Sequence, residues 1–380
     1  MIDPNALSVL ISSMVLSVAL FGVAYCMTQH HDRPLFRTLA WFLAALGCTE
    51  AGIALGPVAA DPQLQILLHA LWMVGIVSVA PFMWAYVRAL TTNTPLTPQR
   101  FARHAALPAL GLLAFLWVAI SPPDVRLHLL PDPSAIQGSS DYFRGRWFET
   151  VFLVVPLQWV FYLSDIARLM LRYRSQLMNY FASTEQRELQ WVAVVIGLYA
   201  IFLVGNIASL LFELATGRPG LPQNLAALHG LVLASAFTLW GMRQRRTLPD
   251  SAEAATDSPQ RYVKSALPKD MSLRIAAQLH KAMAEDKLYL DANLSLWGLA
   301  RHIRASERYV TQVLNEEIGE HFFDFVNRHR IEAAQHRLQD TSETILSIAF
   351  EVGFNSRSSF YTAFKKVTGV TPSGYRKSQV

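Results

Sequence analysis

The chain has 380 residues, of which 52% are hydrophobic and only 16% are charged, and its net charge is +5. This length predicts two or more domains, and the apolar composition excludes an ordinary soluble protein over the whole length. No lysine precedes Lys264, whereas residues 247–380 contain 17 lysines and arginines against 16 aspartates and glutamates. Such a balanced charge does not by itself indicate nucleic-acid binding, so any evidence for it must come from local sequence patterns. The two cysteines, Cys26 and Cys48, lie in apolar segments and indicate neither a disulfide framework nor a metal cluster.

Apolar segments fill the first two-thirds of the chain. They cover residues 7–27, 35–57, 64–90, 105–121, 147–170, 189–216 and 225–242. A helix needs about 20 apolar residues to cross a bilayer, and most of these segments reach that length, so we predict seven transmembrane helices. The first segment follows no basic region and is too long for a signal-peptide core, so we expect it to be retained. A soluble all-helical core is the alternative, which seven such runs disfavour.

The arginines between these segments predict how the helices are oriented. If the N-terminus lies outside, the arginines on the cytoplasmic side are Arg33, Arg37, Arg88, Arg100, Arg103, Arg168, Arg172, Arg174, Arg187, Arg243, Arg245 and Arg246. The arginines on the opposite side are then Arg126, Arg144, Arg146 and Arg218. Because basic residues accumulate on the cytoplasmic side of membrane proteins, this excess predicts an outside N-terminus and a cytoplasmic C-terminal region.

Ionisable side chains inside the apolar segments are candidates for receiving a signal, because they are costly there without a partner. Glu50 and His69 are the residues that we expect in a polar pocket between helices. For Asp165, Glu213 and His229, helix–helix hydrogen bonds or a place near the membrane interface are favoured instead. The Pro- and Gly-containing loop of residues 121–146 is either a ligand-facing lid or a tether.

Residues 345–369 predict two short helices around a sharp turn. Apolar residues recur at i, i+3, i+4 and i+7 from Ile345 to Val352, the spacing of one buried helical face. Gly353 can adopt the positive φ of a tight turn, and Ser356 is placed to cap the second helix. The inward face of that helix is predicted to consist of Phe360, Ala363, Phe364 and Val367. The pattern is that of a helix-turn-helix, whose second helix can enter a DNA major groove, although an ordinary helical hairpin has the same shape.

The same pattern occurs earlier, in residues 296–318. Its first helical face consists of Leu296, Leu299, Ala300 and Ile303. A turn at Arg304 follows, Ser306 is placed to cap the second helix, and Gly319 ends the unit. A helix over residues 322–339 connects the two units, with Phe325, Val326, Ile331, Ala334 and Leu338 inward. Two units on a rigid connector can reach successive major grooves, so the repeat favours DNA binding over a simple hairpin.

These segments predict an all-α protein of three parts. Residues 1–246 form a polytopic seven-helix transmembrane domain with a sensory role, and residues 247–271 form a linker rich in Ala, Ser, Pro and Asp. Residues 272–380 form a cytoplasmic domain with two helix-turn-helix units, beginning with a helix from Ser272. We find no Walker loop, nucleophile elbow or zinc-ligand spacing, so we expect no enzymatic activity, no cofactor and no metal.

Several short motifs in residues 272–380 resemble the DNA-binding domain of the AraC/XylS family of bacterial transcription regulators. They are Phe325-Val326-Asn327, Arg330-Ile331, Ala334, Ile348-Ala349, Gly353-Phe354, Ser358-x-Phe360, Phe364-Lys365, Gly369, Thr371-Pro372 and Tyr375-Arg376. Arg261–Leu267 and Gln312–Asn315 are similar to a membrane-bound subgroup with multi-span N-terminal regions. The chain departs from the wider family at Arg304, Gln312 and Leu314. The resemblance implies a one-component regulator in a bacterial inner membrane.

Exposed positions early in each second helix are the candidates for DNA contact. In the first unit they are Arg308, Thr311 and Gln312, and in the second they are Arg357, Ser358, Ser359 and Thr362. Lys365 and Arg376 are candidates for phosphate contact, whereas Lys366 is expected to face solvent. The predicted scaffold of the motifs consists of Ala300, Ala349, Gly353, Phe354, Phe360, Phe364, Gly369 and Pro372.

The expected partners are double-stranded promoter DNA, the lipid bilayer, RNA polymerase, a second copy of the chain and an unidentified small-molecule or protein signal. Coupling could run through dimerisation or through release of the DNA-binding domain from the membrane face. Two alternatives stay open at this point. The apolar helices could be only a tether, or they could form a transporter or membrane enzyme fused to a regulator.

Overall fold

The computed structural model describes residues 4–56, 59, 61–92, 97–123, 146–184, 189–217, 223–244 and 267–378. These residues are helical almost throughout, apart from one isolated antiparallel bridge between Phe181 and Ser295. The all-helical prediction is therefore confirmed for them. Residues 124–145 of the predicted lid or tether and residues 247–266 of the predicted linker lie outside the described residues.

The chain divides into two compact units. The first consists of Met1–Met170 and Leu189–Arg246, and the second of Leu171–Glu188 and Thr247–Val380. The segment Leu171–Glu188 thus belongs with the C-terminal residues, although it lies far from them in sequence. The predicted division into residues 1–246, 247–271 and 272–380 stays a prediction.

The first unit contains the apolar helices. They are α1 (Pro4–Thr28), α2 (Arg33–Leu55), α3 (Pro62–Thr91), α4 (Pro98–Ile120), α5 (Arg146–Tyr180, which continues into the second unit), α6 (Gln190–Thr216) and α7 (Gln223–Leu239). All seven are long and apolar enough to cross a membrane. Within this unit α1 packs against α2 and α7, and α3 packs against α2 and α4.

Small residues allow close helix packing in the first unit. At Gly75 of α3, an added Cβ would lie 2.7 Å from the backbone nitrogen of Thr49 and 2.8 Å from the carbonyl oxygen of Ala45, both on α2. Only glycine permits so close an approach of two helix backbones, as in many helix pairs within membranes.

One of the polar side chains predicted to form a hydrogen bond between apolar helices, Asp165, does so. Trp84 Nε1 on α3 donates to Asp165 Oδ2 on α5 at 2.7 Å, so the helix–helix hydrogen bond expected for Asp165 is confirmed. The ring of His229 instead stacks on Phe202, with centroids 3.9 Å apart.

The second unit contains shorter helices. They are α8 (Lys269–Ala284), a 3₁₀ turn (Leu288–Leu290), α9 (Leu296–His302), α10 (Glu307–Val313, extended by a π-helical turn over Leu314–Ile318), α11 (Phe322–Asp340), α12 (Ile345–Glu351), α13 (Arg357–Thr368) and α14 (Pro372–Lys377). The predicted connector is confirmed as α11, and its five predicted inward residues are all buried. The helix predicted from Ser272 begins three residues earlier, at Lys269.

Val367 was predicted to face the core, and this was wrong, because its side chain is 44% exposed. The core beneath α13 includes Phe360, Ala363 and Phe364. Gly369 then ends the helix with φ +79°, so Val367 lies in a last turn that extends past the core.

Gly353 and Gly319 provide a matched pair for a test of the second turn. Both have positive φ, +96° and +76°. A Cβ on Gly353 would clash with the carbonyl oxygen of Tyr289 and lie 3.0 Å from Arg330 Nε, whereas nothing lies within 4 Å of one on Gly319. We expect Gly319→Ala to lower the free energy of unfolding of the second unit by about 1 kcal/mol, from backbone strain alone. Gly353→Ala adds a steric clash and should cost about 3 kcal/mol or more.

Pulse proteolysis of the full-length protein across a urea series would measure both values. Equal losses for the two variants would contradict the close approach at Gly353.

Candidate nucleic-acid interface

The turn of the second helix-turn-helix unit is defined by local hydrogen bonds. The Phe354 amide donates to the carbonyl oxygen of Ala349 at 3.0 Å across the turn at Gly353. Ser356 Oγ then accepts a hydrogen bond from the Ser359 amide at 3.1 Å. The predicted turn and the predicted cap of α13 are therefore confirmed.

Below this turn, the two helices share a core with the connector. Ala349, Phe360 and Phe364 are fully buried, and they pack in one cluster with Ile331 and Leu338 of α11. The predicted scaffold residues Ala300, Phe354 and Pro372 are buried as well, while Gly369 is exposed at the end of α13. This packing determines which side of α13 faces outward.

The outward side of α13 carries four exposed polar side chains: Arg357, Ser358, Thr362 and Lys365. Ser358, Thr362 and Lys365 are spaced four and three residues apart, which places them on one stripe of the helix. Ser359 differs, because it is half-buried and its hydroxyl donates to the carbonyl oxygen of Ser356 at 2.9 Å. The Ser359 hydroxyl is therefore used in a hydrogen bond at the start of α13.

Arg357 is held at the first turn of α13 by Tyr361. Its Cζ atom lies 5.0 Å from the centroid of the Tyr361 ring, a cation–π contact. A hydrogen bond with Ser373 lowers the pKa of Tyr361, and the Arg357 guanidinium contributes in the same direction. The guanidinium is thus exposed but oriented by its neighbour.

Two of the other cationic residues, Arg376 and Lys366, have partners within the chain. Arg376 is half-buried, and its Nη2 donates to the carbonyl oxygen of Glu343 at 2.7 Å. Lys366 forms an ion pair with Asp324. A phosphate contact by Arg376 would therefore compete with a bond to the protein backbone, whereas Lys365 is exposed.

The first unit repeats this construction. Ser295 Oγ accepts from the Gly298 amide at 3.2 Å and caps α9, and Ser306 Oγ accepts from the Tyr309 amide at 3.3 Å and caps α10. Arg304 adopts φ +56° in the turn between them, the left-handed conformation that glycine takes in the second unit. The turn geometry is thus kept at a cost of about 1–2 kcal/mol for a residue with a Cβ.

Three candidates of the first unit lie in different environments. Arg308 is exposed, and Thr311 is half-buried with its hydroxyl donating to the carbonyl oxygen of Glu307 at 2.9 Å. Gln312 was predicted to be exposed, and this was wrong, because its side chain is only 8% exposed. Its Nε2 donates to Glu316 Oε2 at 2.8 Å, so a pair four residues apart keeps the amide along the helix. A DNA contact by Gln312 stays a prediction that this placement disfavours.

The sequence names Arg330 only as part of a family motif and predicts no contact for it, whereas in the structure it is fully buried on α11. Its Nε donates to the carbonyl oxygen of Tyr289 and its Nη2 to that of Asp291, both at 2.8 Å. The available signal was its spacing, since it lies four residues from Val326 and from Ala334 on the apolar stripe of the connector. A charged residue in such a stripe needs hydrogen-bond partners.

The two candidates for a signal pocket have contacts on different helices. Glu50 on α2 is 8% exposed, and a Cβ added at Gly230 of α7 would lie 3.1 Å from its Oε1. His69 Nδ1 lies 2.7 Å from the carbonyl oxygen of Gln65, on its own helix α3. Their shared role in sensing stays a prediction. Among the described residues, no group of three or more His, Cys, Asp or Glu side chains could hold a metal ion.

Comparisons with known proteins give matches for the C-terminal region. A family model described as a helix-turn-helix domain matches residues 299–378. An uncharacterized HTH-type transcriptional regulator of Staphylococcus aureus strain COL is 39% identical over 90 residues, which are 24% of this chain and 12% of that protein. An HTH-type transcriptional regulator of Mycobacterium tuberculosis is 35% identical over 80 residues, which are 21% of this chain and 31% of that protein.

A solved structure also shares sequence with this region. The C-terminal domain of AraT, a response regulator from Geobacillus stearothermophilus, is 29% identical, with 27% of this chain and 84% of that chain covered and a TM-score of 0.25. This chain spans less than a third of the length of the Staphylococcus aureus regulator and of the Mycobacterium tuberculosis regulator. Its C-terminal region contains a helix-turn-helix domain similar to those of proteins named as transcriptional regulators.

Proposed function

We propose that the protein is a sequence-specific DNA-binding regulator of transcription that is anchored in a membrane. The observation that supports this best is the pair of helix-turn-helix units, each with a serine-capped second helix, on the single connector α11. Recognition helices enter the major groove with their N-terminal residues, and paired units suit successive grooves of one DNA site.

In this proposal, the start of α13 reads base edges. Arg357, Ser358 and Thr362 are its exposed polar residues, and Ser359 lies beside them at the cap. An arginine can donate two hydrogen bonds to one guanine, which is the commonest specific contact in the major groove. Arg308 and Thr311 of α10 would contribute contacts in the first groove, while Lys365 and Arg376 would contact phosphate.

The apolar helices support the membrane anchor. In the apolar 18-residue stretch of α4 only 6% of the residues are buried within the protein, and in that of α6 only 17% are. Large side chains such as Leu113 and Ile201 are 61% and 72% exposed. Lipid would cover these surfaces, whereas water would leave an apolar area far larger than soluble monomers expose.

The excess of arginines on one side supports an orientation with the N-terminus outside and the DNA-binding unit in the cytoplasm of a bacterial cell. In this arrangement the seven helices receive a signal, and the DNA-binding unit acts on a promoter together with RNA polymerase. A second copy of the chain could occupy an adjacent half-site.

The base-reading role of Arg357 can be tested on duplexes selected from a random-sequence library by the full-length protein in lipid nanodiscs. We expect Arg357→Ala to weaken binding to the selected duplex by about 1–3 kcal/mol, roughly five- to 150-fold, because a bidentate base contact is lost. Binding to unselected DNA should change much less. Fluorescence anisotropy with both duplexes at one salt concentration would measure the two effects.

Arg274→Ala is the matched control, since Arg274 is an exposed arginine on α8, outside both helix-turn-helix units. It should leave both affinities unchanged. An equal loss on both duplexes for Arg357→Ala would rule out base reading and leave only a phosphate contact.

The orientation can be tested with single cysteines in a Cys26→Ala, Cys48→Ala background. His31→Cys lies in the loop after α1, and Thr216→Cys lies at the end of α6. We expect a membrane-impermeant maleimide to label Thr216→Cys in intact spheroplasts and His31→Cys only after permeabilisation, because the two sites lie on opposite sides. The reverse labelling pattern would contradict the orientation, and full extraction of the protein by alkaline carbonate would contradict membrane insertion.

A further inference from the structure

A short segment after α5 is buried in the second unit. Phe181, Ala182, Ser183 and Thr184 follow the last residue of α5, and their exposed fractions are only 1–5%. Connecting segments usually lie on the surface, because buried backbone needs hydrogen-bond partners. The partners of this segment lie in the DNA-binding region.

The segment pairs with the start of the first helix-turn-helix unit through its backbone. The Ala182 amide donates to the carbonyl oxygen of Leu294 at 3.0 Å, and Phe181 forms an antiparallel bridge with Ser295, the residue that caps α9. The Phe181 ring meets Trp297 of α9 edge-on, with centroids 5.0 Å apart. The contact is a single antiparallel bridge onto a domain whose other described residues form no strand.

Arg330 joins this segment to the DNA-binding unit. Its Nη1 donates to the carbonyl oxygen of Ala182 at 3.1 Å, to Ser183 Oγ at 3.3 Å and to Asn327 Oδ1 at 3.2 Å. Its Nε and Nη2 are held separately by the carbonyl oxygens of Tyr289 and Asp291. If the segment left, Nη1 would keep Asn327 and gain water, while the rest of the guanidinium kept its partners. The contact can therefore open without leaving a buried charge unpaired.

Tyr180, the last residue of α5, borders the first recognition helix. Together with Trp297 and Arg301 it lines a cavity of about 510 Å³ that reaches Ser306, Arg308 and Thr311. These last three residues belong to the cap and first turns of α10, the part of a recognition helix that approaches base edges. A duplex docked on α10 would need the space that Tyr180 borders.

We propose that Tyr180–Thr184 is an autoinhibitory clasp on the first helix-turn-helix unit. With the clasp docked, α10 is kept from the major groove, and only α13 can engage DNA. Withdrawal of the clasp frees α10 and allows both units to bind. This inference rests on the proposed function, and it assigns the control of DNA binding to one contact.

The position of the clasp in the chain supplies the means of control. Residues 154–180 of α5 are one of the apolar stretches that could span a membrane, and the helix is continuous to Tyr180. A rotation or shift of α5 in response to a signal would therefore move Tyr180 and the residues that follow it directly. Such a signal needs only to bind the undocked arrangement better than the docked one.

A reversible disulfide tests the clasp. Phe181 and Ser295 form a bridged antiparallel pair, in which Cα atoms lie within the range that a disulfide spans. The full-length Phe181→Cys, Ser295→Cys variant, in a Cys26→Ala, Cys48→Ala background, is placed in nanodiscs and titrated with duplexes selected from a random-sequence library by the wild-type chain. We expect the oxidised form to bind at least about tenfold more weakly than the reduced form, with full recovery on reduction.

Comparing one protein in two redox states cancels any loss of the Ser295 cap. Equal or tighter binding by the oxidised form would overturn the clasp. If no chain selects any duplex, the proposed function fails and this inference fails with it, and that result is distinct from equal binding in both states.

A second variant opens the clasp instead of closing it. Phe181→Ala removes the ring contact with Trp297 and should bind the same duplex several-fold more tightly than the wild type. Leu171→Ala is the control, because Leu171 is 69% exposed on α5, the helix that precedes Phe181, and the affinity of this variant should not change. Weaker binding by Phe181→Ala, with an unchanged far-ultraviolet circular dichroism spectrum, would show a supporting segment and would contradict autoinhibition.

Discussion

The second unit depends on the burial of one guanidinium, that of Arg330. A buried charge is tolerated only when its donors are satisfied, and this one donates to carbonyl, hydroxyl and amide oxygens on three separate stretches of chain. Its Cζ atom also lies 5.4 Å from the Phe354 ring, next to the turn of the second helix-turn-helix unit. Gly353 is required at that turn, because a side chain would meet both Tyr289 and Arg330. One residue of the connector thus ties together the loop before the first unit and the turn of the second.

This arrangement gives the two helix-turn-helix units different surroundings. In the second, α13 starts with an exposed Arg357 that rests on Tyr361. In the first, the corresponding helix starts beside Tyr180, and one of its polar residues, Gln312, is turned back onto Glu316. The repeat in the sequence is therefore not a repeat in accessibility. A regulator built this way could hold one recognition helix ready while the other waits for a change elsewhere in the chain.

Much of the fold follows from patterns within short stretches. The spacing of Ile345, Ile348 and Val352, the glycine at 353 and the serines at 306 and 356 each act over three or four residues, so their consequences can be read before any tertiary contact is known. The same holds for the seven apolar helices, whose length and composition are properties of each segment alone. Predictions of which side chains are buried depended on tertiary packing and on neighbouring side chains, and two of them were wrong. The prediction that Val367 is buried was wrong because the core ends one turn earlier. The prediction that Gln312 is exposed was wrong, and its amide is instead held by Glu316.

By itself, the sequence determined the helical class, the apolar helices and the paired helix-turn-helix units, because hydrophobic periodicity and capping are local. Only the tertiary structure decided that Phe181–Thr184 belongs with the DNA-binding unit, and that Arg330 is the residue that holds it. Those two sites are separated by 147 positions in the chain. Nothing local in Phe181–Thr184 or in α11 indicates the other, because carbonyl oxygens are present in every residue and only folding selects which of them a buried guanidinium will meet.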